Sequence, residues 1–156
     1  MMNKKSAGLL LYRFHKEVTE VFLVHPGGPF WKNKDEGSWS VPKGEYEGHE
    51  DPLLTAKREF KEETGVSLNE ENVFVPLSPQ KQKGGKIVYV WATEGNLDAS
   101  KIESNLFKME WPPHSGKMHE FPEIDRGDWF SVEEAMGKIN PAQRGFLLEL
   151  VEYLKS

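Results

Sequence analysis

Residues 44–66 read GEYEGHEDPLLTAKREFKEETGV, and the rest of the chain is best understood outward from them. Asp51-Pro52 has the form of an N-cap followed by proline at the first helical position, where the missing N–H costs nothing. Gly65 is the residue type that ends a helix in the left-handed conformation. The two signals predict a helix of about three and a half turns between them. On it Glu59, Glu62 and Glu63 fall at i, i+3 and i+4 and project from one face. Leu53, Ala56 and Phe60 make an adjacent stripe suited to anchoring the helix on a core. Like charges at this spacing repel. Either the face is solvated, with Lys57, Arg58 and Lys61 as partners, or it holds hard divalent cations, which prefer carboxylate oxygens.

The wider spacing favours the second. Gly44 is followed after five residues by Glu50, and after seven more by Arg58-Glu59-Phe60-Lys61-Glu62-Glu63-Thr64-Gly65-Val66. This resembles the signature of the Nudix hydrolases at every fixed Gly, Glu and Arg, with Phe60 where the family usually has an aliphatic residue. Such a match arises by chance in roughly one chain in ten million at average residue frequencies. The resemblance implies a magnesium- or manganese-dependent pyrophosphohydrolase cleaving a phosphoanhydride in a nucleoside diphosphate linked to another moiety. It implies metal ligation by the Gly44 carbonyl, Glu59, Glu62 and Glu63. It gives Arg58 the part of supporting the glutamates by ion pairing and Glu50 that of steadying the loop; on the helix itself Arg58 is expected to face away from Glu62 and Glu63. The general base in the family is a glutamate of the signature or an acid from a later loop. Trp39-x-x-Pro42-Lys43-Gly44 further resembles the branch that cleaves dinucleoside polyphosphates, the first choice of substrate. Nucleotide sugars, damaged nucleoside triphosphates and a non-catalytic nucleotide-sensing module are the alternatives.

The bulk composition agrees. A chain of 156 residues, 37% hydrophobic and 29% charged, suits one soluble domain over residues 1–156. Its net charge of −5 and the lack of a basic run argue against a nucleic-acid polymer as partner. An acidic protein acting on a polyanion, here a small-molecule nucleotide, needs a cation in between. The absence of cysteine excludes disulfides and thiolate zinc sites. The start, MMNKKSAGLLLYRF, has too short an apolar run for a signal peptide, and no stretch approaches membrane-spanning length. A cytoplasmic protein without membrane association is expected, and the family resemblance allows a homodimer.

Along the chain, Ser6–Phe14 and Val18–His25 are apolar, β-prone runs predicted to pair. The Pro- and Gly-rich stretch from His25 to Gly37 is a loop whose Phe30 and Trp31 suit stacking on a base. Trp39–Pro42 is predicted as a short strand leading to Lys43, a lysine for a substrate phosphate or simply an exposed one. Trp39 is counted with Lys43, Phe30 and Trp31 as ligand-binding. Asn72–Leu77 is a predicted strand, Ser78–Lys86 turn-rich, and Lys86–Thr93 a strand apolar on both faces. Leu106–Trp111 is a further strand. Trp111–Glu123, rich in Pro and Gly, is predicted either as a mobile flap bordering the pocket or as a surface loop whose Trp111, Phe121 and Pro122 pack on the sheet. Of its acids Glu120 is the candidate base, with Glu123 and Asp125 as the other acids nearby. Ser131 is the N-cap of a helix to about Lys138, and Asn140-Pro141 begins a last helix whose stripe is Phe146, Leu147, Leu150, Val151 and Leu154. This order predicts an α/β (α+β) fold with a mixed β-sheet between helical layers, resembling the Nudix α/β/α sandwich.

Overall fold

A computed structural model describes residues 4–156; the first three residues of the N-terminal run discussed above lie outside them. The apolar run SAGLLLY lies in strand β1 (Lys5–His15), buried on both faces. A two-residue turn at Lys16 and Glu17, both at positive φ (50° and 66°), returns it to β2 (Val18–Pro26). Positive φ at both turn positions matches the right-handed twist of a tight hairpin. β3 (Lys43–Tyr46) pairs antiparallel with the first half of β1, and β6 (Ile87–Glu94) runs parallel to β1 along most of its length. β4 (Val75–Pro76) and β5 (Gln80–Lys81) pair with the far side of β6, and β9 (Ile124–Ser131) with β2. The result is a mixed seven-stranded sheet ordered β4-β6-β1-β2-β9, with β3 on β1 and β5 on β6.

Alternation along the strands sends side chains to two layers. Ala7, Leu9, Leu11, Phe22 and Val24 pack against Ala56 and Phe60 of α1 (Pro52–Thr64). Leu10, Tyr12, Val21, Leu23, Val88, Val90 and Ala92 face α2 (Val132–Lys138) and α3 (Arg144–Leu154), where Ala135, Phe146, Leu147 and Leu150 are buried. Phe60, the departure from the family pattern, is fully buried with its ring edge-on to Phe22 at 6.3 Å. Truncating an aromatic of this kind costs about 3–5 kcal/mol.

The helix signals hold in detail. The Asp51 side chain accepts from the Leu53 and Leu54 amides, and Gly65, at φ 78°, donates its amide to the Lys61 carbonyl. Ser131 accepts from the Glu134 amide at the start of α2. Asn140 accepts from the Ala142 amide, but it caps a 3₁₀ turn (Pro141–Gln143), and α3 begins only at Arg144.

Three expectations need correction. Trp39–Pro42 is not a strand; Trp39 and Ser40 make isolated bridges to Ile139 and Val24, and regular pairing starts at Lys43, past proline's missing donor. Asn72–Leu77 shrinks to two paired residues, Val75 and Pro76, with Val73 largely exposed. Trp111–Glu123 is not a free flap: Met118–Pro122 forms β8, paired with β7 (Leu106–Glu110) in a hairpin apart from the main sheet. Only Trp111–Lys117 connects the two strands.

Candidate active site

β3 runs under α1, and the glutamates of the helix meet the strand there. Glu63 is 5% exposed and borders a cavity of about 150 Å³ with Lys43, Ser40, Pro26 and Ile124. The Glu59 carboxylate lies against the Gly44 backbone so closely that a Cβ on residue 44 would collide with it. Arg58 donates to Glu50 at 3.1 Å and to Glu59 at 3.5 Å, and its Nε stands 3.8 Å from Glu62. Arg58 therefore does not face away from Glu62, as expected from sequence; the i, i+4 spacing brings the two together. Glu50 also accepts from the Glu47 amide, so one carboxylate fixes both the loop before α1 and the arginine.

A fourth acid joins them. Glu123 ends the hairpin just before β9; its amide donates to the Asn105 carbonyl, and the Asn105 amide donates to the Glu62 carbonyl. Its own carbonyl accepts from the Gly27 amide at 2.8 Å. A side chain at Gly27 would strike the Pro122 carbonyl, so glycine permits this approach of the two backbones.

The electrostatics follow from crowding. Burial, then the Glu59 charge beside it, pushes Glu63 up to about 8. Burial and then Glu62 raise Glu59, and the same two causes raise Glu123. Lys43 is lowered, mainly by burial and then by Lys86, in spite of Glu63, Glu45 and Glu59. Half-buried carboxylates that repel one another form a donor set of hard oxygens, which a divalent cation would relieve. Among the described residues no three His, Asp or Glu side chains already close on one point. Magnesium keeps several waters and takes only one or two carboxylates, so the donors present fit it.

The other sequence candidates divide. Lys43 is not the exposed lysine of one expectation: it is half-buried beside Glu63. Phe30 and Trp31 remain exposed; Phe30 meets Trp111 edge-on at 5.3 Å, and the Lys34 ammonium lies over Trp31. Trp39 is instead a core residue, 4% exposed, its indole N–H on Asp35 and its ring against His25 and Phe130. Glu120 lies exposed on β8 opposite Lys108, and the loop acid coupled to the helix carboxylates is Glu123. A larger concavity of about 530 Å³ on the outer flank of α1, around Leu54, Lys57, Lys61 and Phe74, contains none of the three helix glutamates.

Comparison with known proteins identifies the family and the fold. The family model described as NUDIX domain matches residues 2–150. A protein of Acanthamoeba polyphaga mimivirus named for mRNA decapping is 30% identical over 128 residues, 77% of this chain; the chain spans 31% of that protein's length. Among solved structures, a C. elegans Ap4A hydrolase in a binary complex superposes with a TM-score of 0.66 at 24% identity, covering 97% of this chain and 98% of that one. The NUDIX domain of Shewanella oneidensis NrtR, complexed with ADP ribose, gives 0.65 at 14% identity over 99% and 90% of the two chains. A mutT/nudix family protein of Listeria innocua gives 0.65 at 15% identity over 99% and 96%. These structural likenesses concern the fold. No helix among the described residues is long and apolar enough to cross a membrane.

Proposed function

The chain belongs to the NUDIX family of hydrolases, and from that premise we propose a magnesium-dependent pyrophosphohydrolase acting on nucleoside diphosphates linked to a second group, dinucleoside polyphosphates first. One observation supports this most: Glu59 and Glu63 crowd the Lys43-Gly44 edge of β3, with Glu123 brought to them from another part of the chain. Glu59, Glu62, Glu63 and the Gly44 carbonyl would hold magnesium or manganese. Bound there, the metal would polarise the phosphoryl group and acidify water. Arg58 keeps Glu59 and Glu62 aimed, Lys43 meets a substrate phosphate, and Glu123 takes the proton of the attacking water. Phe30 and Trp31, exposed on the neighbouring loop, offer faces for a base.

The dinucleotide preference is supported by the Trp39-to-Gly44 run and by the fold shared with the C. elegans Ap4A hydrolase. Capped RNA is a second reading, favoured by the mimivirus relative; the net charge of −5 weighs against a polymer substrate. We read residues 1–156 as one catalytic domain, cytoplasmic and able to pair as a homodimer. Chromatographic analysis of the nucleotide products from a panel of diadenosine tetraphosphate, ADP-ribose, nucleoside triphosphates and capped RNA, with and without magnesium, tests the reading. Magnesium-dependent cleavage, fastest for the dinucleotide, is expected. No turnover of any member would leave a ligand-sensing module, and a different best substrate would move the specificity.

A further inference from the structure

His25 has no part in the chemistry above, yet its ring is completely buried and both nitrogens are engaged. Nε2 donates to the Lys34 carbonyl at 2.6 Å, since a carbonyl only accepts. Nδ1 stands 2.9 Å from the Asp125 carboxylate, within hydrogen-bond distance. The ring is also held edge-on by Trp39 at 5.2 Å. These partners belong to different parts of the chain. Lys34 closes the loop that carries Phe30 and Trp31; Asp125 is the second residue of β9, two residues beyond Glu123. Solvated alternatives at both positions would serve a surface loop equally well. A buried imidazole satisfied from two directions ties the Asp125 side chain and the Lys34 backbone to one point, because releasing either leaves a buried polar nitrogen unpaired.

We propose that His25 is a positioning residue that sets two walls of the active site at once: the Glu123 junction through Nδ1 and Asp125, and the aromatic loop through Nε2 and the Lys34 carbonyl. The proposal rests on the reading of Glu123 as the proton acceptor and of Phe30 and Trp31 as base-stacking residues. Its consequence is separability, since the amide nitrogen of asparagine stands near the place of Nδ1 and that of glutamine near the place of Nε2. His25→Asn keeps the Asp125 side and frees the loop. His25→Gln keeps the loop and frees the Glu123 junction.

The test is hydrogen–deuterium exchange of the full chain, read over residues 27–37 and 119–126, with kinetics on diadenosine tetraphosphate and magnesium. His25→Gln should speed exchange about tenfold or more at 119–126 alone and lower kcat with KM held within about twofold. His25→Asn should speed exchange at 27–37 alone and raise KM with kcat held. Asp125→Ala, at a partly exposed position, should reproduce His25→Gln without altering the core. Equal loosening of both segments in both histidine variants, or of neither, would reduce His25 to core packing and overturn the proposal, as would an unchanged kcat in both His25→Gln and Asp125→Ala. Glu123→Gln is measured beside them. If it keeps wild-type kcat the assignment of the base fails, while the exchange pattern still judges His25.

Discussion

The carboxylate of Glu59 rests against the backbone of Gly44, leaving no room for a side chain on β3 at that point. Strand and helix are thereby brought close enough for a backbone oxygen and a carboxylate to face the same ion. Gly44→Ala is predicted to push Glu59 away while β3 keeps its pairing with Ala7. Magnesium titrations should show weaker activation, with kcat/KM lower by about a hundredfold, which is ~2.7 kcal/mol of transition-state stabilisation. An alanine variant with wild-type magnesium dependence would separate Gly44 from the metal.

Glu63 should cost the metal-free protein stability. Its folded-state value, pushed up to about 8 from an ordinary 4.5, means that the folded chain binds this proton more tightly than the unfolded chain. The contribution is present below about pH 4.5 and is lost as pH rises toward 8. In EDTA the wild-type Tm should fall over that window, and Glu63→Gln should flatten the fall and stabilise the protein at pH 8 by roughly 4 kcal/mol. Magnesium should restore the wild type and not the variant. A variant less stable than wild type at pH 8 in EDTA would show that the carboxylate is not under this strain.

The two hairpin acids should differ sharply. Glu123→Gln is predicted to lower kcat about a hundredfold or more with little change in KM, because a base acts in the transition state. Glu120→Gln, exposed opposite Lys108, should leave both constants within about twofold. The reverse result would return the base to Glu120; wild-type kcat in both would send it back to the glutamates of α1.

Activity should need magnesium or manganese and be suppressed by calcium. Calcium takes more ligands at longer distances, so it should occupy the same carboxylates without the compact geometry. Equal rates with calcium and magnesium would count against a small octahedral ion at this face.

The helix was readable because its signals are local: Asp51, Pro52 and Gly65 each act within one turn, and the i, i+3, i+4 spacing needs no tertiary partner. The sandwich was readable because β1 and β6 are apolar on both faces, which only a covered sheet accepts. β7 was readable as a strand, but its partner β8 escaped notice because Met118–Pro122 stands outside the core, buries little and lacks a clean alternation. Trp39 looked like a ligand platform until Asp35 was seen to take its N–H and Phe130 its ring. Glu120 and Glu123 are equivalent as letters; the ties of Glu123 to Gly27 and Asn105 distinguish them, and those are long-range contacts. His25 gave no signal, since a histidine beside a Pro-Gly turn carries no mark of its two distant partners.

The most direct measurement is the turnover of diadenosine tetraphosphate in magnesium by wild type and by Glu63→Gln, a change that keeps the size of the side chain and removes one charge. With Glu63 holding the metal, the wild type should cleave the phosphoanhydride and the folded variant should lose roughly a thousandfold in rate or more, several kcal/mol of transition-state stabilisation. Turnover by the variant within about tenfold of wild type would contradict the claim that the α1 carboxylates hold the catalytic cation.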